Sequence, residues 1–224
     1  MKTMKRTFIR FLILVSILVM SSILVFAQDT HYAITAVSDG DANLKLISWK
    51  VGSDGSVTRV GDASAGSISG LDIATVQSGM VATAVRDSDG NLRIITWRVN
   101  ADGSITRLGT ATAGAASLPS IVSSSGYLYT SMFDSAGNLR LISWQVGGDG
   151  SITRLNETTA GQATWITLTK LVNRSTFVAA MRDSDNNFRL MSWEVAADGS
   201  FTRLGPYVAG CVDQGPIMFS ALMW

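Results

Sequence analysis

Acidic and amide side chains alternate in loops of the chain. Two such sets are Asp87, Asp89 and Asn91, and Asp183, Asp185 and Asn187. Oxygen atoms at positions i, i+2 and i+4 are ligands that a calcium ion accepts. Neither loop continues as an EF-hand, because Leu92 and Phe188 stand where that motif needs glycine. The alternative is a plain hairpin turn in which Asp, Asn and Gly serve the backbone geometry. Calcium is the one cofactor that the sequence suggests.

A second set of candidates consists of residues that do not recur along the chain. A repeated scaffold does not require them, so they are available for recognition. They are Trp165, Lys170, Arg174, Asp213 and Gln214. Trp165 begins an extended segment at the position that Gly70 and Leu118 hold in earlier copies, which predicts a place near the mouth of a central channel. We predict that the set forms a platform for a sugar or a protein side chain. The alternative is that Trp165 only fills one end of the channel.

Side chains suited to catalysis are scarce. His31 is the only histidine, Cys211 is the only cysteine, and residues 28–224 contain two glutamates. A Ser–His–Asp triad would have to use His31, and no cluster of His, Cys or Glu suggests a zinc site. Two aspartates from neighbouring loops remain the one route to acid–base chemistry. We therefore predict no catalytic residue, and we expect Cys211 to be buried as a small apolar side chain.

The scaffold that positions these residues is a fourfold repeat. Its cores span residues 43–60, 91–108, 138–155 and 187–204. Each core has an apolar segment containing tryptophan, an Asp-Gly turn and a second segment containing Thr-Arg. Successive cores start 48, 47 and 49 residues apart. A nearly fixed period of this length predicts a repeat architecture.

Each repeat holds four extended segments, here labelled A to D. In the second repeat they cover residues 71–76, 81–86, 92–99 and 104–108. They are rich in Val, Ile, Thr and Trp and are separated by turn sequences, and no segment keeps a helical periodicity. Four short strands at this period are typical of one blade of a β-propeller. The predicted fold is all-β, with four blades of four antiparallel strands each.

The two ends of the repeat array bear on ring closure. From Tyr32 the chain runs through B, C and D segments, then three complete A-to-D units, then an A-like segment over residues 216–222. The last segment would complete the first blade and close a ring of four. The alternative is that the chain is a fragment of a larger propeller.

One tryptophan and one arginine recur in every core. The pairs are Trp49 and Arg59, Trp97 and Arg107, Trp144 and Arg154, and Trp193 and Arg203. We expect each tryptophan to be buried between blades. A three-residue loop at the Asp-Gly turn would place each arginine opposite the tryptophan of its own repeat, whereas a two-residue loop would place the next residue there.

Two families of propeller share parts of this repeat. The run from Asp89 to Trp97 resembles the WD40 repeat, although no repeat opens with Gly-His and Asp never follows the tryptophan. The run from Val99 to Gly109 is similar to the blade hairpins of lactonase-like propellers. Residues 31–222 therefore resemble a secreted, bacterial-type repeat propeller. The resemblance implies a fold and carries no activity with it.

The first 27 residues differ in kind from the rest. Basic residues precede the apolar run from Phe11 to Phe26, and Ala27 ends a small-residue cleavage site. This pattern predicts a secretory signal peptide. An uncleaved anchor is the alternative, but the run is short for a membrane span. We expect cleavage after Ala27 and a secreted or periplasmic domain over residues 28–224.

The exported part is close to neutral. It has 14 basic and 17 acidic side chains, a net charge of −3. This balance gives no electrostatic basis for binding nucleic acid, and no later stretch is apolar enough for a membrane span. We predict a non-enzymatic binding module that recognises a glycan or an exported protein through its B–C and D–A loops, at residues 87–91 and 109–117 and their copies. The alternatives are a lactonase-like hydrolase and a scaffold for an envelope protein complex.

Overall fold

The structure is a computed structural model that describes residues 31–171 and 175–211. Every regular element in these ranges is a β-strand, and neighbouring strands pair antiparallel, which confirms the predicted all-β class. The described residues include no helix that is long and apolar enough to cross a membrane. The predicted signal peptide at 1–27 and the predicted closing strand at 216–222 lie outside the described residues.

The strands alternate with short turns along the whole described chain. They are β1 (His31–Ser38), β2 (Asn43–Val51), β3 (Val57–Gln77), β4 (Met80–Asp87), β5 (Asn91–Val99), β6 (Ile105–Ala115), β7 (Ser117–Ser124), β8 (Tyr127–Phe133), β9 (Asn138–Val146), β10 (Ile152–Lys170), β11 (Thr176–Asp183), β12 (Asn187–Val195) and β13 (Phe201–Cys211).

Two long strands, β3 and β10, each run from one group of strands into the next. The sheets contain six and seven strands, in the orders β1 to β6 and β13 to β7. Strand β3 pairs with β2 as far as Ser67 and with β4 from Ile68 onward. Strand β10 likewise pairs with β9 as far as Gln162 and with β11 from Ala163 onward. The described residues therefore form four consecutive units, of which the second, third and fourth each have four strands.

The Asp-Gly hairpins have three-residue loops. In the second unit Val99 pairs with Ile105, and the Gly103 N–H donates to the Asn100 carbonyl at 2.9 Å. Gly103 has a φ of +85°, the left-handed conformation that closes this type of hairpin. The arginine lies opposite the tryptophan in all four units, as a three-residue loop predicts.

The hydrophobic core lies between consecutive units. It divides into three clusters, and each cluster contains the tryptophan of the later unit. Trp97, Trp144 and Trp193 are each 1% exposed, which confirms the predicted burial for these three. The ring N–H groups of Trp97 and Trp144 donate to the hydroxyls of Thr83 and Thr130. Trp49, in the first unit, is half-buried.

One hydrogen bond recurs wherever two units meet. A hydroxyl on the third strand of one unit donates to the backbone carbonyl of the hairpin glycine in the next unit. The pairs are Ser48 with Gly103 at 2.5 Å, Thr96 with Gly150 at 2.6 Å, and Ser143 with Gly199 at 2.7 Å. We use the term interunit joint for the interface between two consecutive units that contains this hydrogen bond. At Gly150 a Cβ atom would lie 2.4 Å from the Cβ of Leu108, so the hairpin tip sits directly on the outer strand of the preceding unit.

The environment of Cys211 differs from the sequence expectation. The thiol is exposed, not buried. Cys211 ends the outer strand β13, where it pairs with Asn187 at the sheet edge. An outer strand is covered on one side only, so a small apolar residue there stays accessible.

Candidate binding site at the inner strands

The inner strand of each four-stranded unit begins with a bulge. The pairing register shifts between Ile68 and Gly70, between Ser117 and Ser120, and between Ala163 and Trp165. A bulge bends the strand and redirects the side chain that follows it. The same local device therefore occurs at one end of three successive inner strands.

A pocket of about 250 Å³ lies where these three strand ends meet. Its lining residues are Gly70, Leu71, Asp72, Leu118, Pro119, Ser120, Trp165 and Ile166. The structure thus brings Trp165 together with Gly70 and Leu118, the residues that hold its position in the earlier repeats. We call this cavity the inner-strand pocket.

Trp165 offers its ring to the solvent at the edge of this pocket. The side chain is 37% exposed, whereas the tryptophans of the interunit clusters are 1% exposed. Gly70 and Pro119 are closely packed, because a Cβ atom at Gly70 would come within 3.0 Å of Pro119. Trp165 is the one aromatic side chain among the described lining residues, and it is accessible to solvent.

Asp72 supplies the polar part of the pocket. One carboxylate oxygen accepts from the Ile73 N–H at 2.8 Å, and the other accepts from the Ser120 hydroxyl at 2.9 Å and the Ile121 N–H at 2.8 Å. The carboxylate thereby links the inner strands of the second and third units. Asp72 was not among the site residues predicted from the sequence. Its signal was a single carboxylate at an inner-strand position that Ser120 and Thr167 hold in later repeats.

Leu118 adds an unusual backbone to the pocket. Its φ is +48° and its side chain is 43% exposed. A branched residue rarely adopts this left-handed conformation, and the proline that follows restricts it further. Strained residues of this kind are concentrated at binding sites, where the surrounding structure holds them in place.

The other predicted platform residues do not join Trp165 in the described structure. Lys170 pairs with Phe177, whereas Trp165 pairs with Arg182 at the opposite end of β11. Five residues of strand separate them by roughly 16 Å, and an odd spacing sends their side chains to opposite faces of the sheet. Arg174, Asp213 and Gln214 lie outside the described residues. The predicted grouping of Trp165 with Lys170 therefore does not form.

The Asp-rich loops fold as hairpin turns. One Asp87 oxygen accepts the backbone N–H groups of Asp89 at 3.0 Å and Asn91 at 2.9 Å. The first aspartate of the loop makes the same two bonds in every repeat, at Asp39, Asp134 and Asp183. The N–H of Asn187 is the main cause of a lowered pKa at Asp183. These carboxylates hold the turn together.

The second oxygen of two of these aspartates faces an arginine. A carboxylate oxygen of Asp87 lies 2.9 Å from a guanidinium nitrogen of Arg93. The same distance between Asp183 and Arg189 is also 2.9 Å, and this second contact is ionic without hydrogen-bond alignment. Both aspartates are 4% exposed. A calcium ion would have to displace these partners. Among residues 31–171 and 175–211, no three His, Cys, Asp or Glu side chains converge as metal ligands.

Sequence comparisons give no family for the chain. No family model matches it, and no curated protein matches it. Two solved structures resemble its fold. A protein from Lactobacillus plantarum has a TM-score of 0.58 and 13% identity, and the match covers 80% of this chain and 53% of that one. A structure of NanB plus Optactamide has a TM-score of 0.51 and 14% identity, with coverages of 70% and 26%.

These similarities concern the fold alone. Both structures are of the β-propeller type, so the chain has a propeller-like all-β fold. The chain spans about half the length of the first structure and about a quarter of the second. At such low identity a shared fold transfers no chemistry.

Proposed function

We propose that the chain is an exported, non-enzymatic binding module, built from four blades of the β-propeller type, that binds a glycan at the inner-strand pocket. Trp165 carries the proposal: its ring is exposed at the edge of a pocket that also holds Asp72 and Ser120. The bulges and the hydrogen bonds accepted by Asp72 hold the backbone around this pocket. A rigid scaffold of this kind lowers the entropic cost of binding.

The chemistry of the pocket suits a sugar ring. A pyranose has an apolar face of C–H groups and a rim of hydroxyls. The flat indole of Trp165 suits the apolar face, and the oxygens of Asp72 and Ser120 suit the hydroxyl rim. A small number of polar groups of this kind fixes the orientation of a bound ligand. A charge-neutral saccharide fits best, because none of the described residues that line the pocket has a basic side chain to pair with an anion.

The same lining supports binding without turnover. Asp72 is the one carboxylate among the described residues that line the pocket. Hydrolysis of a glycoside or a lactone by acid–base catalysis needs a second titratable group or an activated water. Asp72 already accepts three hydrogen bonds from the protein, which gives this carboxylate a structural role.

The test is a titration of the purified chain with a panel of neutral oligosaccharides, followed by calorimetry. We expect Trp165→Ala to weaken binding at least about tenfold, and Trp165→Phe to retain most of it because a ring remains. Lys170→Ala is the matched control, since it lies on the same strand outside the pocket, and it should bind like the unaltered chain. Equal affinity of Trp165→Ala and the unaltered chain would refute the site.

Two other results would replace the proposal with an alternative. Release of product from a glycoside or lactone would indicate a hydrolase. One co-purifying envelope protein, with no saccharide bound, would indicate a scaffold. Export is tested separately by sequencing the amino terminus of the processed chain, which we expect to begin at Gln28.

A further inference from the structure

The first unit has one face that no described unit covers. On this face Ile47 and Trp49 are half-buried. Their counterparts in the later units lie inside interunit joints and are at most 2% exposed. These counterparts are Ile95, Trp97, Ile142, Trp144, Met191 and Trp193. Within residues 31–171 and 175–211, the first unit thus carries one half of a joint that no other unit completes.

The fourth unit carries the opposite half. Leu190 and Ser192 are half-buried there. In the earlier units the corresponding residues are at most 2% exposed: Leu46, Ser48, Ile94, Leu141 and Ser143 are among them. A shallow groove of about 370 Å³ lies over this face, lined by Leu190, Ser192, Gly205 and Tyr207 among others. Leu204, whose counterparts meet a hairpin glycine, is 55% exposed.

The hairpin glycine that would fill such a groove also has no close neighbour among the described residues. In the three joints the hairpin glycines are Gly103, Gly150 and Gly199. A Cβ atom added at any of them would lie 2.8 Å or less from an atom of the preceding unit. Gly55 holds the same position in the first unit, with the same left-handed φ of +81°, and nothing lies within 4 Å of its Cβ position. The two end faces therefore present the two complementary halves of one joint.

We propose that two copies of this chain associate head to tail through these end faces. The Gly55 hairpin and the Ile47–Trp49 face of one copy sit on the Leu190–Ser192 face of the other, and the Ser192 hydroxyl donates to the Gly55 carbonyl. The interface repeats the geometry of the three joints within the chain. This inference does not depend on the proposed glycan site.

A second copy is the occupant that the structure favours. Complementary but different faces form a heterologous contact, which generates a closed ring when the rotation allows it. The four units match about half of a longer propeller-type chain, with 53% of that chain covered. Two such arcs complete one ring and cover all four end faces.

The test measures the mass of the processed chain by light scattering over a range of concentrations. We expect a dimer. Leu190→Arg and Ile47→Arg each place a charge in both joints of the ring, so each variant alone should be monomeric. An equimolar mixture of the two should regain the dimer, because one of its two joints then contains only unaltered faces. Thr153→Arg, on the exposed outer strand of the third unit, is the control and should remain dimeric.

Three results would overturn the proposal. They are a monomeric unaltered chain at every concentration, single variants that remain dimeric, and a mixture that stays monomeric. Circular dichroism melts check that the arginine variants fold. If either variant loses its cooperative melt, Leu190→Ala and Ile47→Ala replace them, and each should raise the dimer dissociation constant at least about tenfold. An unchanged constant in both would equally overturn the proposal.

Discussion

The Ser143 hydroxyl donates a hydrogen bond to the carbonyl oxygen of Gly199 at 2.7 Å, across 56 residues of sequence. Gly199 is buried at the tip of its hairpin, so this carbonyl cannot turn to water instead. Equivalent contacts join the other consecutive units. A small number of polar contacts of this kind fixes how far apart the units lie, while the tryptophan clusters supply the apolar burial.

Removing this hydroxyl should destabilise the fold. We expect Ser143→Ala to lower the free energy of unfolding by about 1–3 kcal/mol, because a buried carbonyl loses its donor. Ser143→Thr is the matched control, since Thr96 makes the equivalent contact with Gly150. Urea unfolding measures both. Equal stability of the alanine variant and the unaltered chain would show that the contact has no role in the joint.

A methyl group at the hairpin tip should disrupt a joint. Gly150→Ala meets Leu108 at 2.4 Å and also strains a φ of +88°. Gly137→Ala strains a similar φ of +77° but has nothing within 4 Å of the new atom. We expect both to lose about 1 kcal/mol from the backbone, and Gly150→Ala to lose at least about 2 kcal/mol more from overpacking. Similar thermal melts for the two variants would contradict the close contact.

Acid should weaken the turns. Hydrogen bonds lower the pKa of the turn aspartates, chiefly from the Asn187 N–H at Asp183 and from the Ser104 hydroxyl at Asp102. A folded-state pKa below the unfolded value of about 3.9 stabilises the fold above that pH, and the contribution is lost as the pH falls. We expect the urea concentration at the unfolding midpoint to decrease as the pH falls below about 4.5. The decrease should be smaller in Asp183→Asn. A midpoint that rises on acidification would contradict this assignment.

Calcium should leave the thermal stability unchanged. Both carboxylate oxygens of Asp87 already have partners, in the turn N–H groups and in Arg93. We expect the melting temperature in excess calcium to equal that in a chelator within about 1 °C, since a ligand stabilises a fold only by binding it. An upward shift of several degrees that the chelator reverses, and that Asp89→Ala abolishes, would instead establish a metal site.

Local sequence patterns predicted the strands and their hairpins well. Asp-Gly between apolar runs specifies a tight turn, and the three-residue alternative placed Arg107 opposite Trp97 as observed. The repeat identified Gly70 and Leu118 as the counterparts of Trp165, and in the structure these three residues line one pocket. These features depend on neighbours in sequence or on the period alone.

Contacts between units could not be predicted from the sequence. Every repeat has a serine or threonine at the position of Ser48 and a glycine at the position of Gly103, yet nothing in the repeat shows that one unit's hydroxyl reaches the next unit's glycine. Asp72 was overlooked because its partner, Ser120, lies 48 residues away. Lys170 was wrongly grouped with Trp165, although the length and the alternation of a strand separate them. Spatial pairs of this kind follow from packing, which the sequence does not display.

Protection of Trp165 by a bound saccharide tests the central claim most directly. Trp165 is 37% exposed, so a soluble quencher such as acrylamide reaches its fluorescence. We expect a bound oligosaccharide to reduce quenching in the unaltered chain, and to leave quenching unchanged in Trp165→Phe although the sugar still binds. An oligosaccharide that binds the unaltered chain without protecting Trp165 would place the binding site elsewhere and contradict the account.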